Sequence, residues 1–230
     1  MANVAIITAR GGSKRIPRKN IKEFLGKPII AYSIAAAWES GIFDEVMVST
    51  DDAEIAEIAR NAGAKVPFMR SADAADDYAT TTDVIREVLE QYKEAGIEFE
   101  YACCIYPTAP FVTKELLLKA QQLVEEEKAD SCFPIIQYSF PPQRGMIIEN
   151  GNALYKYPEY QFTRSQDLEK LYHDSGQFYY FNAKKFAQTG KMLGDIIKPI
   201  IISEMEAQDI DNEDDWKIAE LKYKMLYKDR

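Results

Sequence analysis

Apolar positions recur along this chain in two alternating rhythms. Short unbroken runs at residues 4–7, 45–50, 101–106 and 132–138 read as strands buried on both faces. Between them, apolar residues return at helical spacing. Ile29, Ile30, Ile34, Ala37 and Trp38 form one stripe up to Gly41. Ile55, Ile58, Ala59 and Ala62 form a second before Gly63, with Asp51 and Glu54 reading as its capping box. Val84, Ile85, Val88 and Leu89 mark a helix over residues 80–92, closed by Gly96. A further helix is predicted over 113–127. The last runs over 211–227, with Trp216, Ile218, Leu221, Met225 and Leu226 as its apolar positions. Residues 66–68 form a short, proline-interrupted strand, and Pro28 suits the first turn of a helix.

This alternation predicts an α/β fold with a doubly wound, mostly parallel sheet and right-handed crossovers. Ligands of such sheets lie beyond the carboxyl ends of the strands. That rule points at the loops after Ile7, Val48 and Ile105. The rhythm changes after Ser139. Residues 146–149 and 152–155 flank Asn150-Gly151, the strongest short signal for a β-hairpin. Two more strands follow, at 177–181 and 200–202. The chain reads as one domain over residues 1–230, with an inserted β arm at roughly 139–165.

Composition narrows the function. The 230 residues carry a net charge of −9, which argues against nucleic acid and anionic membranes. No apolar run approaches a membrane span, and the start enters a strand without a signal peptide's basic region. Cys103, Cys104 and Cys132 sit in apolar runs and read as reduced core thiols of a cytoplasmic protein.

Against that acidic background one stretch stands out. Residues 9–20, A-R-G-G-S-K-R-I-P-R-K-N, follow the first strand directly. Arg10, Lys14, Arg15, Arg18 and Lys19 gather around Gly11-Gly12. Converging cations over a glycine-bearing backbone suit a polyphosphate; a solvated basic loop is the plainer alternative. The spacing is neither a P-loop nor a dinucleotide fingerprint, which disfavours a P-loop kinase and a dehydrogenase.

The run resembles the signature loop of the acylneuraminate cytidylyltransferases, which activate nine-carbon acidic sugars. The resemblance implies a Rossmann-like nucleotide-diphospho-sugar transferase fold, CTP bound by the loop, and a β arm that builds a homodimer. It places Ala9, Arg10, Gly11, Gly12, Ser13, Lys14, Lys19 and Asn20 on the nucleotide, with Arg10 and Lys19 as catalytic cations. Thr80 adds a hydroxyl there, beside its reading as an N-cap.

Asp209 and Asp211 flank Ile210. With Ile210 turned inward, both carboxylates face outward together. Read alone, Asp211 caps the last helix; beside a polyphosphate loop the pair suits Mg2+. The resemblance supports the metal. Tyr106 stands where members acting on sialic acid carry a glutamine, and Ala109 where they carry a serine. Arg164 could grip a sugar carboxylate, while Gln166, Gln177 and Tyr179 offer directional bonds to hydroxyl and amide groups. With Ser175-Gly176-Gln177, these residues look most like the pseudaminic acid cytidylyltransferases; sialic and legionaminic acid enzymes are alternatives, and a non-catalytic nucleotide-binding regulator is a different class. His173 carries no assigned role.

Overall fold

The chain builds a seven-stranded central sheet, two small hairpins and seven helices among the residues described, 2–76 and 78–227, of a computed structural model. Strand β1 (Asn3–Thr8) is followed by the basic loop and a small hairpin, β2 (Glu23–Phe24) and β3 (Lys27–Pro28). Pro28 thus ends that hairpin, and helix α1 (Ile30–Ser40) starts two residues later, closing on Gly41 in the left-handed region. Strand β4 (Glu45–Ser49) leads into α2 (Ala53–Asn61). The N-cap of α2 is Asp52, whose carboxylate accepts from Ile55 N, and not Asp51. Asp51 is thereby released for another task.

The apolar run at 66–68 makes no strand; one isolated bridge, Met47 to Lys65, is all that pairs there. A single turn, α3 (Ala72–Ala75), precedes α4 (Thr81–Glu94), which Thr80 and Asp83 close in a full capping box. Strand β5 (Tyr101–Ile105) is followed by α5 (Lys114–Gln121), which stops short of 127 and passes into a π turn over Gln122–Glu126. Then come β6 (Ser131–Gln137), the hairpin β7 (Met146–Glu149) and β8 (Asn152–Tyr155), β9 (Tyr172–Asp174), β10 (Phe178–Asn182), α6 (Ala183–Thr189), β11 (Ile197–Ile202) and α7 (Glu213–Leu226).

The sheet order is β11-β6-β10-β5-β1-β4, with β9 also paired to β6. The sheet is mostly parallel, as expected, but β10 runs antiparallel to both neighbours and β9 antiparallel to β6. Alternate side chains feed two separate layers. Ala5, Ile7, Val48, Cys103 and Ile105 pack under α1, α2 and α5. Val4, Ile6, Met47, Ala102 and Cys104 pack under α4 and α6. Strands covered on both faces explain why the sequence shows unbroken apolar runs there. The three cysteines are free and buried, and burial pushes the Cys104 thiol up to about 12.

Helix α7 departs from the expected stripe. Trp216 and Ala219 are buried against Phe24 and Phe111, whereas Ile218, Leu221 and Met225 are exposed. Positions 218, 221 and 225 lie on one side of the helix and 216, 219 and 223 on another. The core takes the aromatic side.

The hairpin forms where Asn150-Gly151 placed it, with both residues at positive φ (50° and 80°), the geometry of a type I′ turn. Its strands pair only with each other and lie exposed. The excursion is wider than residues 139–165. It leaves at Tyr138 and returns at Leu171, where Tyr138 N donates to Leu171 O, so its base is the β6–β9 pairing.

Candidate active site

Parallel register brings the decisive loops to one edge. Thr8 stands beside Ser49, and Ile7 beside Ile105, so the chain leaves β1, β4 and β5 at the same level. Because β10 is antiparallel, its incoming turn at 174–177 meets that edge too. Strand β11, parallel to β6, sends residues 203–211 there from the far side. These segments frame a cleft of about 500 Å³ lined by Arg10, Lys14, Lys19, Asn20, Thr81 and Tyr106, among others. A larger groove, about 790 Å³, is lined by Tyr32, Tyr223 and Tyr227 and by no residue of the basic loop, so the chemistry is assigned to the smaller cleft.

The basic loop is held by acids at the start of α2. Gly11 N donates to Asp51 Oδ1 at 2.9 Å, the task freed by Asp52's capping. Arg18, in the left-handed region at φ 55°, binds Asp52 through two guanidinium nitrogens at 2.5 and 2.9 Å and also reaches Glu54. That fork holds the Asp52 carboxyl down at about 2. A Cβ on Gly11 would stand 2.9 Å from the immobilised Asp52 Oδ2, so glycine is required there. Gly12 faces open space, and sterics do not demand it.

The other loop residues separate into scaffold and cleft. Ala9 is buried and donates to Ser49 O. Ser13 Oγ donates to Ile16 O at 2.6 Å. Asn20 is buried and spends its amide N–H on Arg10 O at 2.8 Å, so it shapes the loop as well as lining the cleft. Arg10 reaches Asp76 O at 3.2 Å. Lys19 Nζ donates to Ile210 O at 2.6 Å and lies 4.0 Å from Asp211 Oδ1. Burial lowers the Lys19 ammonium, more than its acidic neighbours raise it. An arriving anion would meet a cation already partly stripped of water.

Ile210 is buried, as the paired carboxylates require. Asp211 does not cap α7. Asn212 does, accepting from Asp214 N and Asp215 N, with Asp215 returning the box. Asp211 instead meets Arg15 at 2.6 Å. Desolvation, and then the charge of Asp211, raise the Asp209 carboxyl. Two mutually repelling carboxylates beside a cleft of phosphate-seeking cations fit a hard divalent ion. Among the described residues no cluster of three or more His, Cys, Asp or Glu forms, so such an ion would complete its shell from phosphate and water.

Five further expected site residues do not line the cleft. Thr80 turns away from the cleft; its hydroxyl meets Asp83 in the cap, and Thr81 lines the cleft in its place. Arg164 is exposed on the arm beside Asp167, and Gln166 sits in the same exposed turn; neither lines the cleft. Gln177 is buried and donates to Glu206 O, while Tyr179 is buried behind Tyr106.

Arg70 was not anticipated. It lines the cleft almost fully buried, donating to Ser49 Oγ at 3.0 Å and Ser49 O at 2.6 Å. Burial lowers its guanidinium. Its only sequence signal was a lone arginine ending the apolar stretch 66–69.

A family model described as cytidylyltransferase matches residues 4–227. The chain belongs to that family. It is thereby a nucleotidyl-transferring enzyme. The pseudaminic acid cytidylyltransferase of Campylobacter jejuni is 40% identical over 226 residues, 98% of this chain and 97% of the relative. The CMP-N,N'-diacetyllegionaminic acid synthase of Legionella pneumophila is 32% identical over 227 residues, 96% and 95% of the two chains. Among solved structures, a CMP:2-keto-3-deoxy-manno-octonic acid synthetase complexed with CTP superposes with a TM-score of 0.68 at 18% identity, over 99% of this chain and 100% of that one. A 4-diphosphocytidyl-2C-methyl-D-erythritol synthase of Anaerococcus prevotii gives 0.61 at 17%, over 96% and 97%. These two likenesses concern the fold.

Proposed function

We propose that this cytidylyltransferase takes CTP and a nine-carbon 2-keto acidic sugar, pseudaminic acid by preference, and releases pyrophosphate and the CMP-sugar. The observation that carries the reading is one cleft lined by Arg10, Lys14, Lys19, Thr81 and Tyr106, with Asp211 4.0 Å from Lys19. Nucleotidyl transfer needs positioned charge more than covalent chemistry. Arg10, Lys14 and Lys19 bind the triphosphate and neutralise the leaving pyrophosphate. The anomeric hydroxyl of the sugar attacks the α-phosphorus in line. Asp209 and Asp211 would hold Mg2+, which when bound adds charge stabilisation to the phosphates. Arg70 and Asn20 supply fixed donors or acceptors to the nucleotide from the buried end.

The choice of sugar rests on Tyr106 and on the C. jejuni relative's name. A legionaminic acid is the second reading, favoured by the L. pneumophila relative. We further propose that the arm pairs two copies. It exposes Phe140, Ile148 and Phe162 at 88%, 80% and 90%, too much apolar surface for an isolated hairpin. Arg164 and Gln166 can then serve a sugar only in the partner's cleft.

The test is incubation with CTP, Mg2+ and a panel of nonulosonic acids, with pyrophosphate measured. Release fastest with pseudaminic acid is expected. A better turnover of a sialic or legionaminic acid moves the assignment, and no release with any sugar ends it.

A further inference from the structure

Resting on the reading of Asp209 and Asp211 as a divalent-ion pair, we propose that Lys222 is a positioning residue for that pair. Its ammonium gathers three amide oxygens of residues 204–208 and, through the Gln208 side chain, fixes the backbone of Asp209.

The contacts converge on one atom. Lys222 Nζ donates to Glu204 O at 2.8 Å, to Ala207 O at 2.9 Å and to Gln208 Oε1 at 3.0 Å. An ammonium has three protons and no acceptor, so all three donors are spent on this one segment. The same count orients Gln208. With Oε1 turned to the ammonium, its Nε2 is left to donate, and it donates to Asp209 O at 3.0 Å. The three acceptors of Lys222 are amide oxygens of an irregular segment, which has no ladder to pair them. The ammonium organises that segment much as a bound cation would.

Helix α7 supplies the fixed support. Asp215, Ala219 and Lys222 follow one another at i, i+4 and i+7 and so share a face. Ala219, between the other two, is buried in the cluster of Phe24, Phe111 and Trp216, and the Phe24 and Trp216 rings meet edge-on with centroids 5.7 Å apart. From this face Asp215 Oδ2 accepts from Asp211 N at 2.9 Å. Two turns later Lys222 holds residues 204–208. The helix therefore grips the acidic segment on both sides of the carboxylate pair.

The result is a backbone engaged at three consecutive residues: Asp209 O by Gln208, Ile210 O by Lys19 at 2.6 Å, and Asp211 N by Asp215. Upstream, Ser203 and Glu206 close a capping box, and Gln177 Nε2 donates to Glu206 O at 2.7 Å. The Ala207 and Ile210 side chains are buried. A hard divalent ion such as Mg2+ demands oxygens at fixed positions, and a partner that holds a ligand in place typically counts for much of the affinity. Lys222 is not among the residues that line the cleft, so its effect reaches the ligands only through the segment that carries Asp209.

The experiment uses the full-length protein. Mn2+ binding without nucleotide is titrated by electron paramagnetic resonance. Beside it are measured the Mg2+ concentration for half-maximal pyrophosphate release, CTP affinity by calorimetry without divalent ions, and the thermal melt. Lys222→Met keeps the apolar stem and removes the donors. It should weaken Mn2+ binding and raise the Mg2+ requirement by about tenfold each, with the rate at saturating Mg2+ and the metal-free CTP affinity within about twofold of the wild type. Gln208→Met cuts only the link to Asp209 and should give a smaller loss of the same kind, about threefold. The double variant should be no worse than Lys222→Met, because the same link is broken once. Lys222→Arg restores donors and charge and should recover part of the binding. Lys224→Met removes a charge from the same helix and should move no readout by more than about twofold. Wild-type Mn2+ affinity in Lys222→Met, with binding lost in Asp211→Asn, would overturn the positioning role and leave the metal reading intact. Equal losses in Lys222→Met and Lys224→Met would overturn it in the same way. Should Lys222→Met not fold, Gln208→Met decides, and wild-type Mn2+ affinity there overturns the role. An Asp211→Asn variant that binds Mn2+ as the wild type does overturns both.

Discussion

Arg15 and Asp211 face each other at the rim of the cleft, guanidinium and carboxylate 2.6 Å apart. The basic loop and the acidic segment before α7 are thus joined before any ligand arrives. Lys19 reinforces the joint through Ile210 O, and Lys22 through Glu213 at 2.7 Å. The Arg15 side chain is 68% exposed, so this pair adds little to stability. On the proposed reading its effect falls on the ligands, because a divalent ion at Asp211 and a phosphate at Arg15 would each release the other's partner. Arg15→Ala should therefore leave the melting temperature within about 2 °C, and tighten divalent binding to the nucleotide-free protein by roughly fivefold. Titration with Mn2+ followed by electron paramagnetic resonance checks it; unchanged binding would show that the pair does not compete with the ion.

The metal reading separates from the capping reading at Asp211 and Asn212. Asp211→Asn removes a hard oxygen ligand and should cut turnover steeply, without moving the melt. Asn212→Ala removes the true cap and should cost about 1 kcal/mol of stability. Initial rates against Mg2+ concentration, beside thermal melts, distinguish the two. Full activity in both Asp209→Asn and Asp211→Asn would leave the pair without a chemical role.

Arg10→Ala and Lys19→Ala should each lower kcat/KM by up to several hundred-fold, on the order of 2–4 kcal/mol for a lost charged contact to phosphate. Wild-type kinetics together with wild-type CTP affinity in both variants would remove the loop from the chemistry.

Asp52 links pH to stability. Its folded carboxyl lies at about 2, below the ordinary value of 3.8, because Arg18 binds the charged form. Its contribution is therefore present above pH 4 and is lost as pH falls toward 2. Partial exposure limits it to on the order of 1 kcal/mol. Asp52→Asn still caps α2 but should flatten the acid limb of the stability curve between pH 4 and 2. Chemical denaturation at several pH values reads this; an acid limb identical to the wild type would mean that the Arg18 pair contributes nothing.

Removal of the hairpin, with residues 146–155 replaced by a short glycine-serine link, should convert a dimer to a monomer or an aggregate. Sedimentation equilibrium reads the mass. A wild-type chain that is monomeric at micromolar concentration disposes of the arm as an interface.

Much of this was legible along the chain because it depends on local rules. Unbroken apolar runs gave the sandwiched strands, since a strand covered on both faces needs no polar side. Asn150-Gly151 gave the hairpin, since few dipeptides hold positive φ twice. The crowded cations of residues 9–20 marked the loop that lines the cleft, since they stand together at the end of the first strand of an otherwise acidic chain. What local rules could not reach were choices between neighbours and meetings across the fold. Asp51 and Asp52 are equally good caps in sequence; only the approach of Gly11 and Arg18 sorts one to the loop and the other to the helix. Thr80 and Thr81 are likewise adjacent hydroxyls, and the helix axis alone decides which turns to the cleft. Ile218 and Leu221 are as apolar as Trp216, but a helix has two sides and one of them met Phe24. Arg70 carries no motif at all. It takes its place because the parallel register of β1 and β4 sets its partner Ser49 beside Thr8 at the edge of the cleft, and register is a property of the assembled sheet.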